Sequence, residues 1–142
     1  MKKWIVLVLG LAVAAGVQAQ THQTQAEALA RYLPYAGAPV DSFRFFDLTS
    51  WELVAPDKVV VWPRLNEAYL LTVDQPCSEL QWARAIGVTS TAGTVSRRFD
   101  AVTVGRERCR INEIRPIDYR RYKQDRDAAK SAPGEVQPSG GT

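Results

Sequence analysis

The chain contains two cysteines, Cys77 and Cys109. If they form a disulfide, the fold must bring these two distant positions into contact. An even number of cysteines in an exported protein is typical of a disulfide. Closing a loop of about 33 residues would stabilise the fold by about 3–4 kcal/mol, a large share of the net stability of a small domain. Redox catalysis is the alternative, but it normally uses a close Cys-x-x-Cys pair. The distant spacing therefore favours a structural disulfide.

The N-terminus has the three-part pattern of a secretory signal peptide. Lys2 and Lys3 precede an apolar run over residues 4–17, and a cleavage site with small residues follows, ending at Ala19. The run of about fourteen residues is shorter than the roughly twenty that a membrane-spanning helix needs, which favours cleavage over an uncleaved anchor. We therefore predict a signal peptide over residues 1–19, a periplasmic or secreted bacterial protein, and no stable membrane span after cleavage.

The residues after the predicted cleavage site suffice for one domain with its own core. Residues 20–42 are predicted to form an N-terminal helix, with a capping box at Thr24 and Glu27, and a connector. Residues 43–130 are predicted to form a single α+β domain. The Ser-, Pro- and Gly-rich residues 131–142 predict a disordered tail.

Segments rich in β-branched and aromatic residues predict the strands of this domain. Val59–Trp62 and Ala68–Val73 are separated by a short link and indicate an antiparallel hairpin of buried strands. A capping box at Ser78 and Gln81 predicts a central helix that ends at Gly87. Further strand patterns lie over residues 88–91, 94–98, 99–104 and 106–114, and a closing helix is predicted over 117–130. The predicted class is α+β: an antiparallel sheet of five or six strands with one central helix, short terminal helices and one disulfide.

Three tryptophans, Trp51, Trp62 and Trp82, lie within apolar segments. This placement favours core positions over a sugar-stacking platform. Trp51 is the best candidate for an exposed ring, because its neighbours Ser50 and Glu52 are polar.

A further pattern spans the predicted strands and both cysteines. It comprises Trp51, Val59–Trp62, Ala68–Leu71, Pro76 and Cys77, Phe99–Val102, and Cys109–Ile111. This pattern resembles an uncharacterised family of small secreted bacterial proteins, grouped as a domain of unknown function, and the resemblance covers roughly residues 40–120. It implies an envelope location and a structural disulfide, and it supplies no activity and no catalytic residues.

Basic residues concentrate in the C-terminal third. Residues 97–126 carry ten basic and five acidic residues, whereas residues 20–96 carry five basic and eight acidic ones. Because side chains alternate along a strand, Cys109 and Ile111 are predicted on one face and the arginines between them on the other. Guanidinium groups suit lipid head groups, acidic glycans or an acidic protein face, although the interleaved acids would otherwise pair with them. The predicted anionic-ligand or partner face comprises Arg106, Arg108, Arg110, Arg115, Arg120 and Arg121.

Several chemistries lack their residues in this sequence. His22 is the only histidine and lies in a polar segment, so a Ser-His-Asp triad or a histidine-based zinc site lacks its central residue. No phosphate-binding loop, dinucleotide fingerprint, haem attachment sequence or EF-hand loop is found. We therefore predict no cofactor and no metal. The small net charge and the export signal also argue against a nucleic-acid partner.

Carboxylate chemistry stays open, because glycoside cleavage needs only two carboxylates at a suitable separation. Asp100, between Phe99 and Val102, is the candidate acid or base that burial would favour. Its alternative role is a salt bridge or turn hydrogen bond with a neighbour such as Arg97 or Arg98. No spacing singles out a second carboxylate, which argues against an enzyme.

The sequence thus predicts a small exported envelope protein that acts as a non-catalytic binding or structural module. One alternative is a periplasmic inhibitor or adaptor that presents its arginine-rich face to an acidic envelope protein or anionic envelope ligand. The other is a carboxylate-based hydrolase centred near Asp100.

Overall fold

The computed structural model describes residues 16–132, with side chains from residue 24 onward. Most of the predicted signal peptide, and the predicted tail beyond residue 132, lie outside the described residues. The α+β class is confirmed: the structure has two helices, one disulfide and a curled antiparallel sheet of six strands in the order β2-β3-β4-β8-β7-β5, beside a separate β1-β6 pair. The elements are α1 (Gly16–Tyr32), β1 (Ser42–Arg44), β2 (Ser50–Ala55), β3 (Lys58–Arg64), β4 (Glu67–Val73), β5 (Gly87–Val88), β6 (Thr94–Ser96), β7 (Ala101–Val104), β8 (Glu107–Ile117) and α2 (Tyr119–Ser131), with 3-10 turns at Leu33–Tyr35 and Leu80–Trp82.

The central strands are buried on both faces, as their continuous apolar runs predict. In the register of β3 with β4, Val59 pairs with Leu71 and Val60 pairs with Leu70. The first pair belongs to an inner core, which the curled sheet and the β1-β6 pair enclose, and the second belongs to an outer core beneath the helices. Fully burying one such side chain stabilises the fold by about 1.5–3 kcal/mol, so this hairpin anchors both layers.

Strand β8 is the longest strand, and it joins the two layers. Its first half pairs with β7 and its second half pairs with β4. Asn112 is an extra residue in the ladder, because Thr72 pairs with Glu113 while Val73 pairs with Ile111. This β-bulge lets residues at an odd spacing, Ile111 and Ile114, both enter the inner core.

The predicted connector runs along the free side of the second half of β8. The backbone N–H of Gly37 donates to the carbonyl of Pro116 at 2.7 Å, and that of Val40 donates to the carbonyl of Ile114 at 2.8 Å. The connector therefore completes the hydrogen bonding of β8 on the side that β7 leaves open.

The predicted disulfide between Cys77 and Cys109 is confirmed, with 5.8 Å between the two Cα atoms. The chain that follows Cys77 differs from the prediction, because the central helix is reduced to the single 3-10 turn Leu80–Trp82. Leu80 is the one fully buried side chain of this turn, so one apolar contact holds it, and Ala83 already has extended backbone angles. Trp82 is 72% exposed, so its predicted core position is wrong.

The strand segments predicted over residues 88–91 and 94–98 do not form a hairpin with each other. The turn at Ala92 and Gly93 forms with positive φ at both residues, but only the bridge between Thr91 and Thr94 joins its arms. Strand β5 pairs with β7 and β6 pairs with β1. Strands β5 and β6 therefore pair with other strands and not with each other.

The terminal helices cover the outer core. Helix α1 (Gly16–Tyr32) extends to the N-terminal side of the predicted capping box, and its Ala28 and Tyr32 are buried in the outer core. Helix α2 begins at Tyr119, where the carboxylate of Asp118 accepts a hydrogen bond from the backbone N–H of Arg121 at 3.1 Å. Within the described part of the chain, no helix is both long and apolar enough to cross a membrane.

Candidate functional site: an aromatic pocket and two groups of arginines

A pocket of about 400 Å³ opens where the sheet ends at β2 and the two helices meet β3. We call it the aromatic pocket. Four aromatic residues contributed by α1, β2, β3 and α2 line it together with one carboxylate. The lining residues are Tyr32, Thr49, Ser50, Trp51, Glu52, Trp62, Leu65 and Tyr119.

Edge-to-face contacts hold the aromatic side chains of the pocket. Trp62 lies on the outer face of β3, with ring centroids 6.0 Å from Tyr32 and 5.6 Å from Tyr119. Tyr119 in turn stacks on Tyr122 at 5.5 Å. Such pairs stabilise the packing beyond their buried area, so the pocket wall is preorganised.

Glu52 is held in place from two sides. Its Oε2 accepts a hydrogen bond from the Tyr32 hydroxyl at 2.5 Å, and its Oε1 lies 2.8 Å from Nη2 of Arg31. Burial, followed by the hydrogen bond to Glu52, raises the pKa of Tyr32 well above its usual value, so its hydroxyl stays protonated and donates. The pocket therefore presents an oriented acceptor beside aromatic surfaces.

The indole N–H of Trp62 lies beneath the pocket wall. Its Nε1 is buried and has no hydrogen-bond partner among the described residues. Buried indole N–H groups usually find an acceptor, and an unpaired one costs about 1–3 kcal/mol. Because this atom is closed to solvent, the pocket does not offer it to a ligand.

The six arginines that were predicted to form one face lie in two separate regions of the structure. Arg108 and Arg110 are exposed on the outer face of β8, Cys109 and Ile111 are buried on the inner face as predicted, and Arg106 is exposed in the preceding turn.

The other three predicted arginines lie toward the opposite end of β8. Nε of Arg115 donates to the carbonyl of Gly37 at 2.9 Å, which ties the connector to β8. Arg120 and Arg121 are on α2, with the Arg121 guanidinium 5.8 Å from the ring centroid of Tyr35. A strand rises about 3.3 Å per residue, so about 30 Å of β8 separates Arg108 from the start of α2. The structure brings together the first three arginines and places the rest elsewhere.

Asp100 is buried, with 4% of its surface exposed, as the sequence predicts. Its Oδ1 accepts a hydrogen bond from the Thr89 hydroxyl at 2.8 Å, and its Oδ2 accepts one from the backbone N–H of Ser96 at 2.7 Å. Arg97 instead pairs with Asp41 at 2.7 Å, which lowers the pKa of Asp41. This geometry favours the structural role of Asp100, in which the carboxylate ties β5, β6 and β7 together. The acid–base role stays a prediction.

One group of side chains has the spacing of a metal site. The sulfur atoms of Cys77 and Cys109 and a carboxylate oxygen of Glu107 lie within 4.8 Å of one another. The sulfur atoms are bonded to each other and are not thiolates, and both oxygens of Glu107 accept backbone hydrogen bonds. The group is therefore a disulfide with a hydrogen-bonded carboxylate beside it.

Sequence reasoning did not find the aromatic pocket. Its residues come from four elements spread between Tyr32 and Tyr119, and only the fold brings them together. The one usable signal was the polar surroundings of Trp51, which is half-buried and lines the pocket.

Fold and site together define a small disulfide-bonded α+β protein with a solvent-open aromatic pocket. Residues 1–133 match a family of unknown function (DUF6491), and the chain belongs to this family. The predicted resemblance to a family of unknown function is thereby confirmed, and the secreted, bacterial nature of that family stays a prediction. Neither the curated proteins nor the solved structures contain a significant match to the chain.

Proposed function

We propose that the protein is an exported, non-catalytic binding module of the bacterial envelope, and that its aromatic pocket binds a sugar. The observation that carries the proposal is the grouping of three aromatic residues, Tyr32, Trp62 and Tyr119, around one oriented carboxylate, Glu52.

The chemistry of the pocket suits an uncharged ring with many hydroxyl groups. A pyranose ring presents C–H groups that pack on aromatic faces, and its hydroxyls would donate to Glu52. Arg31 offsets the charge of Glu52, which favours a neutral ligand over a cation.

Binding is favoured over hydrolysis by the number of carboxylates. Glycoside hydrolysis normally uses two carboxylates that flank the bond to be cleaved. Among the described residues that line the pocket, Glu52 is the one carboxylate, and both of its oxygens have protein partners. Export is supported by the disulfide, which persists in oxidising compartments, and by the pattern of residues 1–19.

Isothermal titration calorimetry with short glucose and N-acetylglucosamine oligomers tests the proposal. The wild-type protein should bind at least one of the two series. Tyr119→Ala and Glu52→Gln should weaken that binding about tenfold or more, because each removes a contact worth roughly 1.5–3 kcal/mol. Trp82→Ala removes an aromatic ring outside the pocket and should leave the affinity unchanged.

Two results would contradict the proposal. One is a wild-type protein that binds neither series. The other is a sugar affinity that both pocket variants leave intact, since the sugar would then bind elsewhere on the protein.

A further inference from the structure

A second concave surface lies at the end of the sheet away from α2. It is a groove of about 600 Å³ between residues 79–85 and the turn that joins β7 to β8. We call it the Trp82 groove, after its exposed indole. Two arginines, Arg84 and Arg106, and two acids, Glu79 and Glu107, also line it.

Three contacts hold the loop that forms this groove. The disulfide joins Cys77 to β8. The Glu107 carboxylate accepts hydrogen bonds from the backbone N–H groups of Ser78 at 3.1 Å and Glu79 at 2.7 Å. Leu80 is fully buried in the inner core. The exposed residues that follow are therefore carried on a well-anchored segment.

The arginines around the groove have no ion pairs within residues 24–132. Arg84, Arg106 and Arg110 are exposed, and no carboxylate of the described chain lies within salt-bridge distance of them. This differs from Arg31 and Arg97, which each bind an acid. Each free guanidinium can donate several hydrogen bonds to a phosphate.

The charged residues that line the groove balance each other, and the arginines beside it on β8 make the surrounding surface positive. Glu107 has both oxygens bound to backbone donors, and Glu79 is exposed. Against these two acids stand Arg84 and Arg106, with Arg108 and Arg110 beside them on β8.

Exposed aromatic side chains accompany these arginines. Trp82 and Phe99 are each 72% exposed. Nη2 of Arg108 donates to the carbonyl oxygen of Phe99 at 3.0 Å, so Phe99 lies beside the arginines of β8. A site for free phosphate would explain the arginines but not two solvent-exposed rings. Rings of this kind beside cationic side chains are typical of the interface between a membrane and water.

We propose that the surface that runs from the Trp82 groove along the arginines of β8 to Phe99 docks on an anionic phospholipid bilayer. Arg84, Arg106 and Arg110 bind head-group phosphates, and Trp82 and Phe99 insert among the head groups. The proposal concerns a surface apart from the aromatic pocket and does not depend on the sugar.

Co-sedimentation of the exported protein, residues 20–142, with vesicles tests the docking. Vesicles of equal parts phosphatidylglycerol and phosphatidylcholine should bind the protein, vesicles of phosphatidylcholine alone should not, and added salt should weaken the binding. The double variants Arg84→Glu with Arg106→Glu, and Trp82→Ala with Phe99→Ala, should each bind at least tenfold more weakly. Their substituted side chains are exposed, and circular dichroism would verify that both variants fold.

Matched controls separate this surface from general charge and general hydrophobicity. Arg120→Glu with Lys130→Glu makes the same charge change on exposed positions of α2 and should retain the binding. Phe46→Ala removes a ring that is 71% exposed elsewhere on the molecule and should also retain it.

Four outcomes would overturn the proposal. The first is that the protein does not bind anionic vesicles, and the second is that the α2 control variant loses as much vesicle binding as the groove variant. The third is that soluble glycerol phosphate competes completely with the vesicles. The fourth is that an acidic protein binds through the same arginines while the vesicles do not bind. The third outcome would indicate a phosphate site, and the fourth would indicate a protein adaptor.

Discussion

At the scale of single residues, Glu107 shows how a charged side chain can act through backbone donors. Its two oxygens accept the N–H groups of Ser78 and Glu79, the first residues after Cys77. A capping box at Ser78 and Gln81 predicts a helix from this point, and that prediction was wrong, because only the 3-10 turn Leu80–Trp82 forms. Free N–H groups at a helix start also bind carboxylates, so the contact with Glu107, almost thirty positions away, fixes the loop without itself accounting for the missing helix.

Replacing Glu107 therefore has a defined cost. Glu107→Ala leaves two N–H groups without an acceptor and should lower the free energy of unfolding by about 1–2 kcal/mol, measured by urea denaturation. The matched variant Glu79→Ala changes an exposed neighbour and should stay within about 0.5 kcal/mol of wild type. Equal stability of the two variants would contradict a stabilising role for the hydrogen bonds that Glu107 accepts.

At the scale of elements, the bulge in β8 decides which side chains reach the core. Strict alternation accounts for Cys109 and Ile111 but would turn Ile114 outward, whereas the extra residue Asn112 restores it to the inner core. Sequence alternation could predict the first half of β8. The bulge could not be predicted, because nothing local distinguishes Asn112 from a regular exposed position.

Two deletions distinguish the bulged residue from a regular one. Deleting Asn112 leaves Ile111 and Cys109 facing inward, so the disulfide should still form. Deleting Arg110 turns either Cys109 or Ile111 away from the inner core and should reduce the stability by at least about 2 kcal/mol more. Thiol counting and urea denaturation would check both deletions. Equal stability of the two deletion variants would refute the assigned register.

At the scale of the whole molecule, the disulfide supports one end and the helices support the other. The two cysteines predicted this disulfide from the sequence, and the apolar runs predicted the buried strands. The aromatic pocket could not be predicted in the same way, because Tyr32, Glu52, Trp62 and Tyr119 are distant in sequence and meet only when both helices pack on β3.

Removing the disulfide should separate the two ends. Cys77→Ala with Cys109→Ala should lower the free energy of unfolding by about 3–4 kcal/mol, measured by urea denaturation. In conditions where this variant stays folded, vesicle binding should weaken because the loop of the Trp82 groove has lost an anchor, while sugar binding should persist. Loss of sugar binding by a folded variant would contradict the independence of the two surfaces.

The central claim is that the aromatic pocket binds a sugar, and the most direct test is a titration with the tightest-binding glucose or N-acetylglucosamine oligomer. The titration follows the indole N–H signals in a ¹H–¹⁵N correlation spectrum. Single Trp→Phe variants assign these signals. The signals of Trp51 and Trp62, which line the aromatic pocket, should shift with a common saturation curve, and that of Trp82 should not. A titration that shifts only Trp82, or shifts none of the three signals, would contradict the assignment of the aromatic pocket as a sugar site.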